Sequence, residues 1–472
     1  MKNQKLTLNV QFDVIIVGSG PAGVNAAYPL VKAGLQVAII DAGLDSKKKD
    51  KELNDLSDVN LSETSNAYDL IRKSSYVFNK TYQLLKIKSE IEIIQSLAKG
   101  GLSEVWHGIC EFFSEDELKQ IGLPADKIIK EYEEIAKRIK LTTETSLGLN
   151  SRLILDAAKN KTNLKSIVYS VPLAYARSTS PFIEDLKRHK NFTYIPNQLV
   201  THIQDKTENV QVKSFSINTL KKSTITSKYV ILAAGSINTT RILIRSLNLF
   251  DYKTTFLTKP YHIAVCLHPR MLFKKNNVEE MPMGQIVISS KETQQGLGTF
   301  FIQLYRFSPS AIYKAVKYIP LPKSLSLKFL SFIAPSLVLA DIRFPGLESN
   351  SKFSLLRKKK DEDVLEISFQ ESEAELASHK NELKKIAKQL RSLCLFPVKT
   401  VSDYATAHYA GGAPFTKIPG KLSTDKNGML HQASRIYVAD SSTWRFLPAK
   451  PPTLTIMANA SWVGKNVLRK FH

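Results

Sequence analysis

Gly18, Gly20 and Gly23 in GSGPAG are spaced as G-x-G-x-x-G, the first pattern in the chain whose residue types could do chemistry. The first glycine permits a tight turn, the second lets a pyrophosphate approach the backbone, and the third lets a helix pack closely on a strand. A helix starting there turns free N–H groups and a partial positive charge toward the phosphates. Asp41 stands 18 residues beyond Gly23, where a carboxylate can accept hydrogen bonds from ribose hydroxyls. The pattern implies a bound dinucleotide and does not distinguish FAD from NAD. Near the other end, residues 447–460 (LPAKPPTLTIMANA) run two adjacent prolines into an apolar segment, a start signal for a final helix over residues 453–462.

These residues need a frame. Residues 12–17 (FDVIIV) form a short β-branched run ending in glycines, which predicts a buried parallel strand. Residues 24–33 are helix-like up to Gly34, and residues 36–40 form a second strand, so the chain opens as βαβ. Residues 229–233 (YVILA) and 435–439 (RIYVA) predict two later strands, each followed by small residues and a helical stretch. Residues 355–370 alternate about the charged turn RKKKDED, as a hairpin does. Leu376, Leu383, Ile386, Leu390 and Leu393 place an amphipathic packing helix over residues 373–394. Residues 45–66 are polar with mixed charge and predict a surface excursion.

A chain of 472 residues exceeds one ordinary domain, and two intertwined units are expected. The formal net charge of +23 admits anionic partners, yet no compact basic stripe interleaved with aromatics marks a nucleic-acid surface. Three cysteines, Cys110, Cys266 and Cys394, give neither a disulfide framework nor a metal-binding pair. A reducing, cytoplasmic setting and no bound metal are expected. The N-terminal residues contain no uninterrupted apolar core of a cleaved leader. Residues 329–340 (FLSFIAPSLVLA) are the longest apolar run, too short to span a bilayer and interrupted by Pro335. Lys314, Lys317, Lys323 and Lys328 precede it, so residues 321–340 are either an interfacial segment at the inner face of a membrane or a buried part of a substrate domain or lid.

Six further stretches carry a family resemblance. The DAG at Asp41, KGGLSEVWHG (99–108), LVTHI (199–203), VILAAGSINTTRIL (230–243), AHYAGGAPF (407–415) and the stretch from RIYVADSS to PPTLTIMANA resemble, in order, elements of the glucose-methanol-choline (GMC) oxidoreductases. The resemblance implies a Rossmann-like α/β FAD-binding domain intertwined with an α+β substrate domain of sheet plus helices. The expected division is residues 1–155, 190–250 and 402–472 for FAD, and 156–189 and 251–401 for substrate. It implies contacts to FAD from Gly18, Gly20, Gly23, Asp41, Gly100, Gly101, Ser103, Trp106, Val200, Ala234, Gly235, Asp440, Ser441, Pro452 and Thr453. Val105 stands where some relatives carry the histidine joined to flavin, so FAD is expected to be non-covalent.

The resemblance also implies hydride transfer from an alcohol, a sugar, polyol or lipid-linked alcohol, with His408 as general base. An imidazole with an ordinary pKa near 6.5 suits that task, and Gly411 and Gly412 are expected to let the backbone approach the cofactor. His107 is a weaker candidate, with a structural or pocket-lining role. The position where relatives place Asn or His falls on Pro451, which has no side-chain donor or acceptor. That departure leaves open a lyase or decarboxylase-like reaction on the same flavin, and a non-catalytic FAD-binding partner protein. Lys450 is read either as a cation at the substrate or flavin or as a solvated side chain. The electron acceptor and oligomeric state are not legible.

Overall fold

The computed structural model describes residues 12–45, 76–106, 108–142, 147, 149–159, 166–174, 178–272, 286–290, 299–307, 315–316, 319–346, 351–359, 362–403 and 407–472. His107, Lys314, Lys317 and most of the polar run at 45–66 lie outside the described residues.

FDVIIV becomes the strand Phe12–Val17 at the centre of a seven-stranded sheet. It pairs in parallel with Val37–Ile40 on one side and Lys222–Leu232 on the other. Phe192–Ile195 and Ile436–Val438 extend this parallel set at its two ends. Both faces of such strands are covered, which is why their sequences are continuous apolar runs. YVILA proves to be only the last part of the 11-residue strand Lys222–Leu232. The earlier part pairs antiparallel with Val210–Ser216, which in turn pairs with Gln198–Asp205. Its burial alternates, because one face is solvated, and that hides it from a search for apolar runs.

The helix Pro21–Lys32 starts on its proline, three residues before the apolar periodicity suggests; proline suits a first turn whose N–H has no partner in any case. Thr453–Leu468 packs against it, and Val24, Leu30, Ala460 and Val463 share one core. The terminal helix is longer than the apolar pattern of residues 453–462.

A second, six-stranded sheet is wholly antiparallel, in the order Phe396–Asp403, Tyr261–Leu267, Leu337–Arg343, Phe301–Arg306, Ile286–Ser290, Ser166–Ser170. The hairpin expected about RKKKDED is present as Lys352–Lys359 and Glu362–Ser368, and the amphipathic helix as Glu373–Ser392. That hairpin belongs to a separate four-stranded sheet with Thr254–Thr255 and Ile87–Ser89. Phe353, Leu355, Leu365 and Ile367 of the hairpin enter the core beneath the first sheet, as do Ile183 and Leu186 of the helix Ser180–Leu186 on its other face. The apolar run 329–340 is not one unit: it divides at Pro335 between the end of the helix Lys323–Ile333 and the central strand Leu337–Arg343. Among the described residues no helix is long and apolar enough to cross a membrane.

Candidate active site

Two glycine loops meet at the carboxyl end of Phe12–Val17. A Cβ on Gly18 would lie 2.5 Å from the Ala233 carbonyl oxygen, and one on Gly23 would lie 1.8 Å from that of Gly18. Both positions are therefore fixed as glycine by backbone contact. The Ser19 hydroxyl donates to Asp41 and accepts from the Gly100 amide at 2.9 Å. Ser103 bonds the Gly100 carbonyl at 2.7 Å and Thr179 Oγ1 at 2.9 Å, and Thr179 reaches the Ser19 carbonyl at 3.2 Å. The second loop is thus stapled to the first by hydroxyls whose bonds are internal.

Asp41 closes the strand Val37–Ile40 and accepts from Ser19 and, at 3.3 Å, from Tyr194. Burial pushes its carboxyl up to about 6 against those hydrogen bonds. Asp440 is buried with four donors: the Gly235 amide at 2.9 Å, Thr239 at 2.5 Å, and the Ser442 amide and hydroxyl at 3.0 and 2.6 Å. Its carboxylate ties the turn after Ile436–Val438 to the start of the helix Ser236–Ser246, and burial raises its pKa. Ser441 donates to the Tyr409 carbonyl at 2.6 Å, so the same turn also holds the strand beside His408.

A cavity of about 1650 Å³ runs along these groups. Gly18, Gly20, Asp41, Gly101, Ser103 and Trp106 line it on one side, with Val200 at the antiparallel extension. Ala234, Gly235, Asp440, Ser441, Pro452, Thr453 and His408 line it further along. Gly23 and Gly100 stand behind this wall and shape it. Small-molecule pockets occupy roughly 300 to 1,000 Å³, so this one has room for an extended dinucleotide and a substrate. The first turns of two helices, Pro21–Lys32 and Thr453–Leu468, end on it; amides there lack intrahelical acceptors and favour anionic groups. With a half-buried acceptor at Asp41, close backbone at Gly18 and Gly20, and two helix starts, the residues present fit FAD. Among the described residues no His, Cys, Asp or Glu group could hold a metal ion.

The far end of the cavity is roofed by the six-stranded sheet. His408 Nδ1 lies 2.8 Å from Arg343 Nη1, and Arg343 is clamped to Asp341 with contacts down to 2.7 Å. A guanidinium only donates, so Nδ1 is the acceptor and the neutral imidazole carries its proton on Nε2. Burial, then the positive charges of Arg343 and Lys259, hold His408 well below the ordinary value of 6.5. Lys259 is fully buried and donates to the carbonyls of Ala449 at 3.2 Å and Lys450 at 2.6 Å, which pins the segment leading into Pro451 and Pro452. Gln303 is 3% exposed, lines the cavity and accepts from Tyr305 at 2.7 Å, while its Nε2 has no hydrogen-bond partner.

Two expectations change. Lys450 is neither at the substrate nor solvated: Nζ bonds Glu117 at 2.9 Å and the Phe112 carbonyl at 3.3 Å. Glu117 is 2% exposed and sits in the first turn of the helix Glu115–Ile121, so the carboxylate captures the ammonium. Gly411 and Gly412 do not admit the cofactor. A Cβ at Gly412 would lie 1.8 Å from Thr240 Oγ1, and one at Gly411 2.5 Å from the Thr255 carbonyl oxygen, so these glycines let the chain approach protein. Arg343, Asp341, Lys259 and Gln303 were not singled out, because LTKPYH, LADIRF and FIQLY carry no motif. Only the strand alternation of Gln303 and Tyr305, and of Asp341 and Arg343, could have hinted at shared faces. Pro451 does line the cavity, so a pyrrolidine ring stands at the wall where the resemblance implies a polar side chain.

A family model described as GMC oxidoreductase matches residues 349–460, and one described as FAD binding domain matches residues 13–46. The fold is similar to the crystal structure of pyridoxine 4-oxidase from Mesorbium loti, with a TM-score of 0.67 and 12% identity over 98% of this chain and 100% of that one. The two matches fall on the first glycine loop with its acid and on the region of His408 and the terminal helix, so these parts of the chain are similar to an FAD-binding domain and to GMC oxidoreductases, and the solved structure shows that the fold is shared.

Proposed function

We propose that the chain oxidises an amphiphilic alcohol, a polar carbinol end attached to an apolar body, with His408 at the hydroxyl. The observation that carries this is the lining of the substrate chamber. Its roof mixes polar and apolar side chains: Arg343, beside His408, pairs with Tyr261, and Asp341 stands between Ile263 and Gln303, while in the next register Leu339 stands between Val265 and Tyr305 with Lys399 beside Val265, and Phe307 and Ala315 add apolar surface. Among sugars, polyols and lipid-linked alcohols, that mixture favours the last.

FAD, when bound, supplies the hydride acceptor. The chain's own residues orient the hydroxyl and manage its proton. The first turn of Thr453–Leu468 opposes negative charge with its amides and dipole, and Pro451 and Pro452 exclude water without offering a competing hydrogen bond. In the resting arrangement His408 presents an Nε2–H donor, which suits holding an alkoxide-like oxygen. Acting as general base requires Nδ1 to be released by Arg343, and the Asp341 carboxylate is the partner that can hold the guanidinium meanwhile. His408 and Arg343 thereby form one proton-handling unit. The unit's low affinity for a proton keeps the imidazole neutral at neutral pH.

The test is anaerobic bleaching of the flavin band by alcohols graded from short polyols to long-chain lipid alcohols. Bleaching that strengthens with chain length supports the reading. Turnover of substrate without bleaching would reveal a non-oxidative reaction, and bleaching only by unsubstituted sugars or polyols would reject the amphiphilic substrate.

A further inference from the structure

We infer that the helix Lys323–Ile333 docks the enzyme on an anionic lipid bilayer. Its inner side is held by Ser326 and Leu330, which are buried, while Leu325, Phe329 and Phe332 are 51%, 47% and 59% exposed. With 3.6 residues per turn these three fall within an arc of about 60°. Leu321, 49% exposed, stands four residues before Leu325 and prolongs the stripe. Isolated exposed leucines are ordinary, but an aligned stripe of large apolar side chains on one helix marks an interaction surface.

Charge selects the partner. Residues 307–340 contain four lysines and no Asp or Glu. Lys323 and Lys328 are exposed on the helix itself, Lys328 immediately beside the apolar stripe. Apolar side chains flanked by lysines and by no acid suit the boundary between acyl chains and anionic headgroups. The surface belongs to one end of the six-stranded sheet. Leu267 pairs with Leu337 on one side and Phe396 on the other; Phe396 and Val398, on the edge strand, are 43% and 69% exposed.

That end also carries much of the chamber's apolar lining, with Lys399 beside Val265. Phe307, Ala334 and Leu337 form a small core with Val265, Ala315, Ile333 and Leu339 packed on it. Four of these, Val265, Phe307, Ala315 and Leu339, line the cavity. The docking helix and this apolar lining thus rest on the same cluster, so a docked enzyme presents that lining next to the bilayer. Docking stands on the helix alone; entry of substrate from the bilayer rests on the amphiphilic reading above.

The FAD-loaded full chain is floated with vesicles of phosphatidylcholine alone and of phosphatidylcholine with phosphatidylglycerol. The chain should float with the anionic vesicles and be released by salt. Leu325→Ser/Phe329→Ser/Phe332→Ser should lower the bound fraction at least about tenfold, and Lys323→Glu/Lys328→Glu should lower it by a similar factor and abolish the salt effect. Flavin absorbance and melting midpoint report that each variant folds, and bleaching by a water-soluble alcohol without vesicles should be unchanged. Failure to float with either vesicle overturns the proposal, as does a triple serine variant that floats like the parent. A parent that elutes as a dimer and a triple variant that elutes as a monomer would assign the stripe to a second copy of this chain instead. Bleaching and flotation are read separately, so either reading can fail alone.

Discussion

The two ends of the cavity are built by different means. At the cofactor end the wall includes closely approaching backbone at Gly18, Gly20, Gly101 and two helix starts, held by hydroxyls and carboxylates that face inward to protein. At the substrate end it is side chains from four antiparallel strands: Tyr261, Gln303, Asp341 and Lys399 each come from a different one. Close backbone approach demands particular glycines at fixed spacing, whereas a side-chain wall demands only that alternate residues face one way. The first therefore leaves a motif and the second leaves almost none.

The difference can be tested end by end. His408→Ala should slow flavin reduction about 10²- to 10⁴-fold, the range expected of a lost acid–base group, while the visible spectrum shows FAD retained; coincident loss of FAD would break the separation of the two ends. Arg343→Met should slow reduction about tenfold to a hundredfold and change its pH profile. With that positive charge gone, His408 should protonate at higher pH, so the acid limb moves up toward the ordinary 6.5; an unmoved limb would remove Arg343 from the proton-handling unit.

Asp41 probes the cofactor end. Burial pushes its carboxyl up to about 6, and ribose donors favour the charged form, so below that value a proton must leave on binding. FAD affinity should therefore fall about tenfold per pH unit below that value and level off above pH ~7. Fluorescence titration of FAD measures this, and Asp41→Asn should abolish the slope. Gln303→Leu should raise KM for alcohols bearing an acceptor near the carbinol about fivefold to tenfold, since the hydrogen bond lost is worth ~1–1.5 kcal/mol, with FAD affinity unchanged. Lys450→Met should leave both ends untouched yet lower stability by about 3 kcal/mol, because Glu117 stays buried without its cation. Thermal unfolding checks the loss, and a changed KM would return Lys450 to the substrate.

Legibility follows the same line within the fold. FDVIIV, GSGPAG and PPTLTIMANA each specify their element locally, since burial on both faces, close backbone contact and a fixed proline φ are properties of a few adjacent residues. The antiparallel first half of Lys222–Leu232 was not visible, because a strand with one solvated face looks polar until its partner Val210–Ser216 is known. The glycines of HYAGG were legible as tight contacts but not as contacts with Thr240 and Thr255, which lie far away in sequence.

By itself the sequence determined a dinucleotide site built on glycine spacing, the order of its motifs, and a proline where a polar partner of His408 is expected. Only the tertiary structure decided that Arg343 occupies Nδ1 of His408, that Lys450 belongs to Glu117, that Gln303 keeps an unmet donor in the chamber, and that the apolar run 329–340 divides into an exposed helix face and a central strand. The reason is physical. Local geometry is written in neighbouring residues, but the protonation and partnership of a buried side chain depend on charges brought to it by other strands.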